Sequence, residues 1–276
     1  TRSLQTQRGL GASKVSSPSV GGTINIVTKG IEAKKGGNVS YALGNDGYNK
    51  MQFTLSTGVS EKGWSLTLLG AKTWGNGYVQ GTEFSGYNWF VNIAKRINDA
   101  HQLQSMATGA PQHHDQRGSS VGLKLADWKK SKDVWGINDN KYNPSFGYRK
   151  NGQAYNANHN YYHKPQFSLS HQWQINEKSS LSTSVYMSLG RGGGYSGQGN
   201  NEFSPYSYSD WNAAYKGDLK YTFRNADGTF NYAAIEEYNE NSEYGSAMIM
   251  STSKNYHNWY GLISTYTTKF GENFDF

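Results

Sequence analysis

The most metal-like cluster in the sequence is His113-His114-Asp115, which follows Ala110-Pro111-Gln112 in a long polar stretch. Neighbouring side chains on an extended chain point to opposite sides, so the two imidazoles cannot easily share one ion. Polar loop residues and ligand-capturing residues are the two readings that remain. Glu236, Glu237, Glu240 and Glu243 have a spacing that suits a short helix, led in by Ala233-Ala234-Ile235. Gly190-Arg191-Gly192-Gly193-Gly194 is glycine-rich enough to suggest a phosphate cradle. It leaves a strand for a loop with no helix after it, and such a cradle needs a helix N-terminus. No nucleophile, base and orienting group stand in a readable arrangement, so the chain is read as a non-enzyme holding no metal and no cofactor.

Those residues must be positioned by a scaffold of unusual composition. The 276 residues include 33 Gly, 21 Tyr, 8 Trp, 5 Pro and no Cys. A hydrophobic content of 35% lies below the roughly 45–50% of globular domains. The 14% of aromatic residues argues against disorder, which depletes them. No apolar run reaches the roughly 18 residues of a transmembrane helix, which excludes helical membrane proteins and leaves barrels open. Absence of Cys removes disulfides and thiolate metal sites. The net charge of +7 is scattered along loops and turns, whereas a nucleic-acid surface would cluster it, so no nucleic-acid partner is expected.

From Gly37 onward the chain is a series of alternating segments. Val39, Tyr41 and Leu43 alternate with Ser40 and Ala42; Met51, Phe53 and Leu55 with Gln52 and Thr54; Trp64, Leu66 and Leu68 with Ser65 and Thr67. Tyr87, Trp89, Val91 and Ile93 make a fourth strand and His101 to Thr108 a weaker fifth. Phe167, Leu169, His171, Trp173 and Ile175 oppose Gln166, Ser168, Ser170, Gln172 and Gln174, and Leu181, Thr183, Val185, Met187 and Leu189 oppose Ser180, Ser182 and Ser184. The last strand runs from about His257 to Lys269. Period-2 alternation of this kind predicts antiparallel strands with one apolar and one polar face.

A soluble sheet also has one wet face; connection length separates the two cases. Connections near residues 61, 99, 177 and 272 are short, whereas those between them grow, reaching long loops near 109–162 and 190–256. Short turns at one end and long loops at the other are the pattern of a transmembrane β-barrel, with the long loops extracellular. The fold class expected is therefore all-β, a transmembrane antiparallel β-barrel. Its apolar face meets lipid, and Trp64, Trp89, Trp173 and Trp259 either form aromatic girdles near strand ends or pack on neighbours. An inward face of short Ser, Gln, Thr and Ala would fill a closed eight-stranded barrel poorly, so these about eight strands are expected to be the first part of a wider one.

Ahead of the strands lies Arg8-Gly9-Leu10, then a Ser/Pro loop, then Gly21-Gly22-Thr23-Ile24-Asn25-Ile26-Val27-Thr28-Lys29. This run reads as a strand launched from a glycine pair. It resembles the end of the plug domain of TonB-dependent outer-membrane transporters, matching at Arg8, Gly9, Gly21, Gly22, Ile24, Asn25, Ile26, Thr28 and Lys29. It departs from the commonest form in that Leu10 stands where Pro is usual and no Tyr follows. Gly109 to Arg117 also resembles a third-loop segment of Bacteroidetes-type receptors of that family. The resemblance implies residues 1–33 as the end of the plug and residues 34–276 as roughly the first third of a plugged barrel of about 22 strands. Both ends of the full protein are expected to lie beyond this chain.

Such a receptor resides in the bacterial outer membrane and imports a scarce solute (siderophore, vitamin, peptide or glycan). TonB, with ExbB and ExbD, drives it through an N-terminal region not present here. Lipopolysaccharide and a surface lipoprotein are the further partners implied. Arg8 is, by the resemblance, a residue that pairs with barrel carboxylates. Ligand-binding candidates are His113, His114, Arg117, Tyr142, Tyr162 and Trp211. The loop aromatics are suited either to stacking on a ligand or to packing together over the mouth. The acidic stretch at Glu236–Glu243 is a solvated helix face, a calcium-dependent contact with lipopolysaccharide, or a repeller of anionic material. A surface adhesin or a structural barrel of a larger envelope complex is the alternative function.

Overall fold

Each alternating segment of the sequence is a strand, and nearly all of them join one sheet. The structure, a computed structural model, describes residues 3–8, 21–28, 30–117, 129, 132–133, 136, 140–199, 225–243, 245–246, 248–270 and 274–275. In chain order the strands are β1 (Ser3–Arg8), β2 (Gly22–Val27), β3 (Gly36–Leu43), β4 (Asn49–Val59), β5 (Trp64–Gly75), β6 (Phe84–Arg96), β7 (His101–Gly109) and β8 (Gln112–Asp115). They continue as β9 (Phe146–Tyr148), β10 (Ala154–Asn156), β11 (His159–His163), β12 (Gln166–Gln174), β13 (Ser179–Gly199) and β14 (Phe230–Asn231). Helix α1 (Tyr232–Asn241), β15 (Met248–Phe270) and β16 (Phe274–Asp275) complete the chain.

The main sheet has 11 strands, antiparallel throughout. Strands β3 to β7 pair in succession, β7 pairs with β12, β12 with β13, and β13 with β15. Two strand positions are split. Strand β6 pairs with β7 along its lower part and with β8 above it; β13 pairs with β12 below and β11 above. The breaks fall at Pro111 and Pro165, which lack the N–H a ladder needs. Both still accept through their carbonyls, from the N–H of Tyr87 (2.8 Å) and of Leu189 (3.1 Å). The wall therefore continues into stretches that looked like loop. Strand β13 has 21 residues and β15 has 23, against the roughly 9–11 a tilted strand needs to cross a bilayer. The surplus was invisible to apolar alternation because backbone above the lipid has no reason to carry an apolar face.

Exposure on this sheet is inverted relative to a soluble protein. Val39 (72%), Met51 (52%), Phe53 (47%) and Leu55 (51%) are exposed, while Ser65 (3%) and Asn92 (2%) on the opposite face are buried. That inversion is what a lipid-facing exterior and a filled interior require. Trp64 and Trp173 lie on the apolar face at the short-turn end. Trp89 lies on the same face further up, its ring 6.3 Å from His163 and 6.5 Å from Phe167. Trp259 departs from the girdle position: it pairs with Ser188 and so belongs to the polar, inner face.

The short turns are built by their own side chains. Asn98 Oδ1 accepts from the N–H groups of Ala100 (3.0 Å) and His101 (2.8 Å), and Asn176 Oδ1 accepts from that of Lys178 (2.9 Å), the local bonding that makes Asn a turn residue. At the opposite end, Asp46 (φ 54°) and Gly47 (φ 70°) form the tight turn between β3 and β4. Before the sheet, β1 and β2 form an antiparallel pair in which Arg8 lies opposite Gly22, Thr6 opposite Ile24, Gln5 opposite Asn25 and Leu4 opposite Ile26. Gln104, on the inner face of β7, donates through Nε2 to Thr28 Oγ1 at 3.3 Å. No helix among the described residues is long and apolar enough to cross a membrane, which says nothing about crossing by strands.

Candidate ligand-binding mouth

The two long connections meet above the wall and fold together. The first supplies Tyr142 to Ser145, the β9–β10 hairpin and Ala157; the second supplies the turn at Asn225–Thr229, strand β14 and helix α1. Strand β14 pairs in parallel with β9, which joins the two connections by main-chain bonds. Gly147 makes that possible, because a Cβ there would collide with the Phe230 carbonyl. Beneath this ladder Ala157, Phe230, Tyr232, Ile235 and Met248 form a buried apolar cluster. Tyr232 stacks edge-on against Tyr155 (4.9 Å) and tilts against Phe230 (4.7 Å).

Polar groups inside this cap are matched across the two connections. The Tyr232 hydroxyl donates to Ser145 O (2.6 Å) and accepts from the Ala157 N–H (3.1 Å). The Tyr142 hydroxyl donates to Gly228 O at 2.8 Å. Asn231 caps α1 by accepting from the Ala234 N–H at 3.0 Å, a regular helix start. At the surface, Arg149 Nε donates to Glu236 at 2.6 Å and Lys150 Nζ to Glu240 at 2.6 Å, while the Lys150 N–H donates to Glu236 Oε2 at 2.9 Å. Burial alone would raise the Glu236 pKa. The Lys150 N–H and the Arg149 guanidinium outweigh it and hold the carboxyl below its ordinary value. Burial raises the Tyr155 hydroxyl, and Glu240 raises Lys150.

The candidate site residues separate by face. His113 lies on the outer face with Asp115 and stacks on His159 (ring centroids 5.7 Å apart), and His159 Nδ1 is 2.5 Å from Asp115 Oδ1. His114 lies on the inner face, within 2.8 Å of Gln112 Oε1 and 3.3 Å of Gln116 Oε1. Gln116 donates in turn to Asn158 at 3.0 Å. Alternation thus divides the two imidazoles as the extended chain predicted. Arg117 Nη1 donates to the carbonyls of Asn140 (3.0 Å) and Tyr142 (2.9 Å), and Tyr142 is 4% exposed; both build the cap. Tyr162 lies on the inner face beside Lys164, whose Nζ is 4.9 Å from its ring centre. Gly9 and Trp211 lie outside the described residues.

What this arrangement offers chemically is a polar, hydrogen-bonding inner wall. Beside it, a cavity of about 460 Å3 runs along β6 and β8, lined by Thr73, Thr82, Phe84, Gly86, Gln112 and His114 together with Ser85, His113 and Asp115, so it is not confined to the inner face. Among the described residues no group of three or more His, Asp or Glu could hold a metal ion. Of the contributors to this mouth, Asn156, Tyr232 and Arg149 gave no signal in the sequence. Each acts on a partner 40 to 87 positions away, and no local spacing encodes such pairs.

No protein-family model matches the chain, and no curated protein does. Solved structures similar to it include the open form of the ferric-catecholate import receptor Fiu from E. coli K12, with a TM-score of 0.61 at 10% identity. The match covers 97% of this chain and 36% of that one, so the chain spans about a third of that receptor's length. At this identity the likeness establishes the fold: the sheet is an arc of a transmembrane antiparallel β-barrel of the outer-membrane kind.

Proposed function

We propose that the protein is a TonB-dependent outer-membrane receptor of the Bacteroidetes type that imports a scarce solute through a plugged barrel. Residues 1–33 are the end of the plug, and residues 34–276 are the first part of a barrel of about 22 strands, a size that leaves a lumen needing a plug. The observation that carries the reading is the contact between Thr28 and Gln104 on the inner face of β7. It supports reading the β1–β2 pair as plug, because Gln104 projects from the inner face of the wall. A membrane face on one side and a glutamine anchoring an upstream segment on the other fit a transporter better than an empty surface barrel. The name of the Fiu receptor identifies its own cargo as ferric catecholate; for this chain the solute stays a siderophore, vitamin, peptide or glycan.

In this mechanism the cap above the wall admits the solute, and the inner-face groups His114 and Tyr162 contact it. TonB, energised with ExbB and ExbD, then pulls on the plug from the periplasm. Energy arrives mechanically, so no bound cofactor is needed. Transport assays on a deletion strain test the reading. The strain should lose growth on one limiting solute, regain it with the intact gene, and fail to regain it when TonB is absent or the membrane is de-energised. Unchanged uptake of every solute class, with loss of surface attachment, would replace the transporter by an adhesin.

A further inference from the structure

Strand β13 loses its inward side chains where the wall rises above the membrane. By alternation with Ser180, Ser182 and Ser184, its inward positions run on to Ser188, Gly190, Gly192 and Gly194. Glycine inside a strand marks a place where another group approaches the backbone closely. Here side chains of the adjoining strands do so. A Cβ at Gly192 would lie 2.6 Å from Tyr162 Cδ2, and one at Gly190 would lie 3.2 Å from Lys164 Cγ and 3.3 Å from His257 Cβ. Tyr162 and Lys164 therefore lie down against β13, with Lys164 Nζ 4.9 Å from the Tyr162 ring centre. Gln112 pairs with Tyr162, and Asn255 with Gly192, so amides flank the ring on both sides. On β15, Trp259 also faces inward and is 48% exposed, its ring 6.0 Å from that of His257.

The charge of this face is one-sided. Among the residues of strands β3 to β15 the only carboxylate is Asp115, which lies on the outer face and is engaged by His159. Inward cations include Lys50, opposite Ala42 and Thr73, Arg96, opposite Gln102, and Lys164. Among the described residues Lys164 has no acidic partner. A concave wall of one sign concentrates solutes of the opposite sign. The three cations stand at separate places and different heights on the wall, so they do not converge on one point as a compact polyanion would require.

We infer that the imported solute is an acidic linear glycan, with one sugar ring lying on Tyr162, its carboxylate on Lys164, and a further sugar reaching Trp259. Aromatic rings take the C–H face of a sugar while flanking amides bond its hydroxyls. An ammonium beside the ring selects a uronate over a neutral sugar. Tyr162 and Trp259 belong to strands two apart and to rows four residues apart, which places their Cα atoms roughly 16 Å from each other. A linear oligomer bridges that span and a compact chelate does not. The inference rests on the import reading proposed above and narrows its cargo to one class.

The test is isothermal titration calorimetry of the full-length protein in detergent with trisaccharides of galacturonate, mannuronate and glucuronate, each compared with its uncharged methyl ester. One uronate should bind roughly tenfold more tightly than its ester, the yield of one charge-assisted contact. Lys164→Gln should remove that advantage and leave ester binding unchanged. Gly192→Ala, whose methyl displaces the Tyr162 ring, should weaken acid and ester alike, as should Tyr162→Ala. Equal affinity of acid and ester for the unaltered protein would overturn the site, whether or not the variants fold. So would binding of none of the three uronates, or an acid advantage that survives Lys164→Gln. TonB-dependent uptake of another solute with no uronate binding would remove the acidic glycan and keep import. Uronate binding without TonB-dependent uptake would remove import and keep the site.

Discussion

Tyr232→Phe tests whether the two long connections form one cooperative cap. The substitution keeps the ring against Tyr155 and Phe230 and deletes a single oxygen. That oxygen bridges the Ser145 carbonyl and the Ala157 N–H, and both Ser145 and Ala157 are 0% exposed. Each buried group left without a partner costs about 1–3 kcal/mol. Because the two share one oxygen their losses overlap, and a combined penalty of roughly 2–4 kcal/mol follows. If the cap opens as a unit, the Ala157 amide should exchange with deuterium roughly 30- to 1,000-fold faster, at about 1.4 kcal/mol per decade. Amides of the membrane-spanning part of β13, such as Val185, should not change, because the cap is a separate cooperative unit. An Ala157 rate within threefold of the unaltered protein would refute the bridge as the cap's fastening. A parallel acceleration at Val185 would refute its independence from the wall.

Two further outcomes follow from the same geometry. The Glu236 carboxyl, held below its ordinary value of 4.5, lends the cap stability that is present above that value and is lost as the pH falls through the folded pKa. Its partner Arg149 is partly exposed, so the effect is about 1 kcal/mol or less; Glu236→Gln should flatten the acid-side rise in corrected Ala157 exchange, and a rise identical in both proteins would assign it elsewhere. On the wall, Val185→Arg should lower stability in vesicles by about 2–4 kcal/mol near the bilayer midplane, whereas Ser184→Arg on the inner face should cost much less. Urea titration of vesicle-inserted protein reads both, and equal penalties would mean that the two faces are misassigned.

The split positions in the wall show where sequence reading stops. Phe167 to Ile175 and Leu181 to Leu189 announce themselves because lipid demands an apolar residue at every second place. His159 to His163 and Gly190 to Gly199 continue the same strands above the membrane, where both faces can be polar, so apolar alternation does not mark them. The Glu236–Glu243 stretch behaves similarly. Its spacing indicated a helix, and α1 is there, yet nothing local indicated that Glu236 and Glu240 would reach Arg149 and Lys150. Tyr142, Tyr155 and Tyr232 pack within the cap, whereas Tyr162 lies on the inner face of the wall.

The sequence by itself determined the fold class, the membrane-facing side of the clearly alternating strands such as β4, β12 and β13, the end that carries long connections and the separation of His113 from His114. All of these follow from period-2 alternation and turn chemistry, which are local and act on neighbouring residues. Only the tertiary structure decided that Trp259 faces inward, that Thr28 meets Gln104, and that two distant connections share one core. These depend on which strands pair and in what register. Pairing is a long-range choice made by the whole sheet, and no short stretch of the chain contains it.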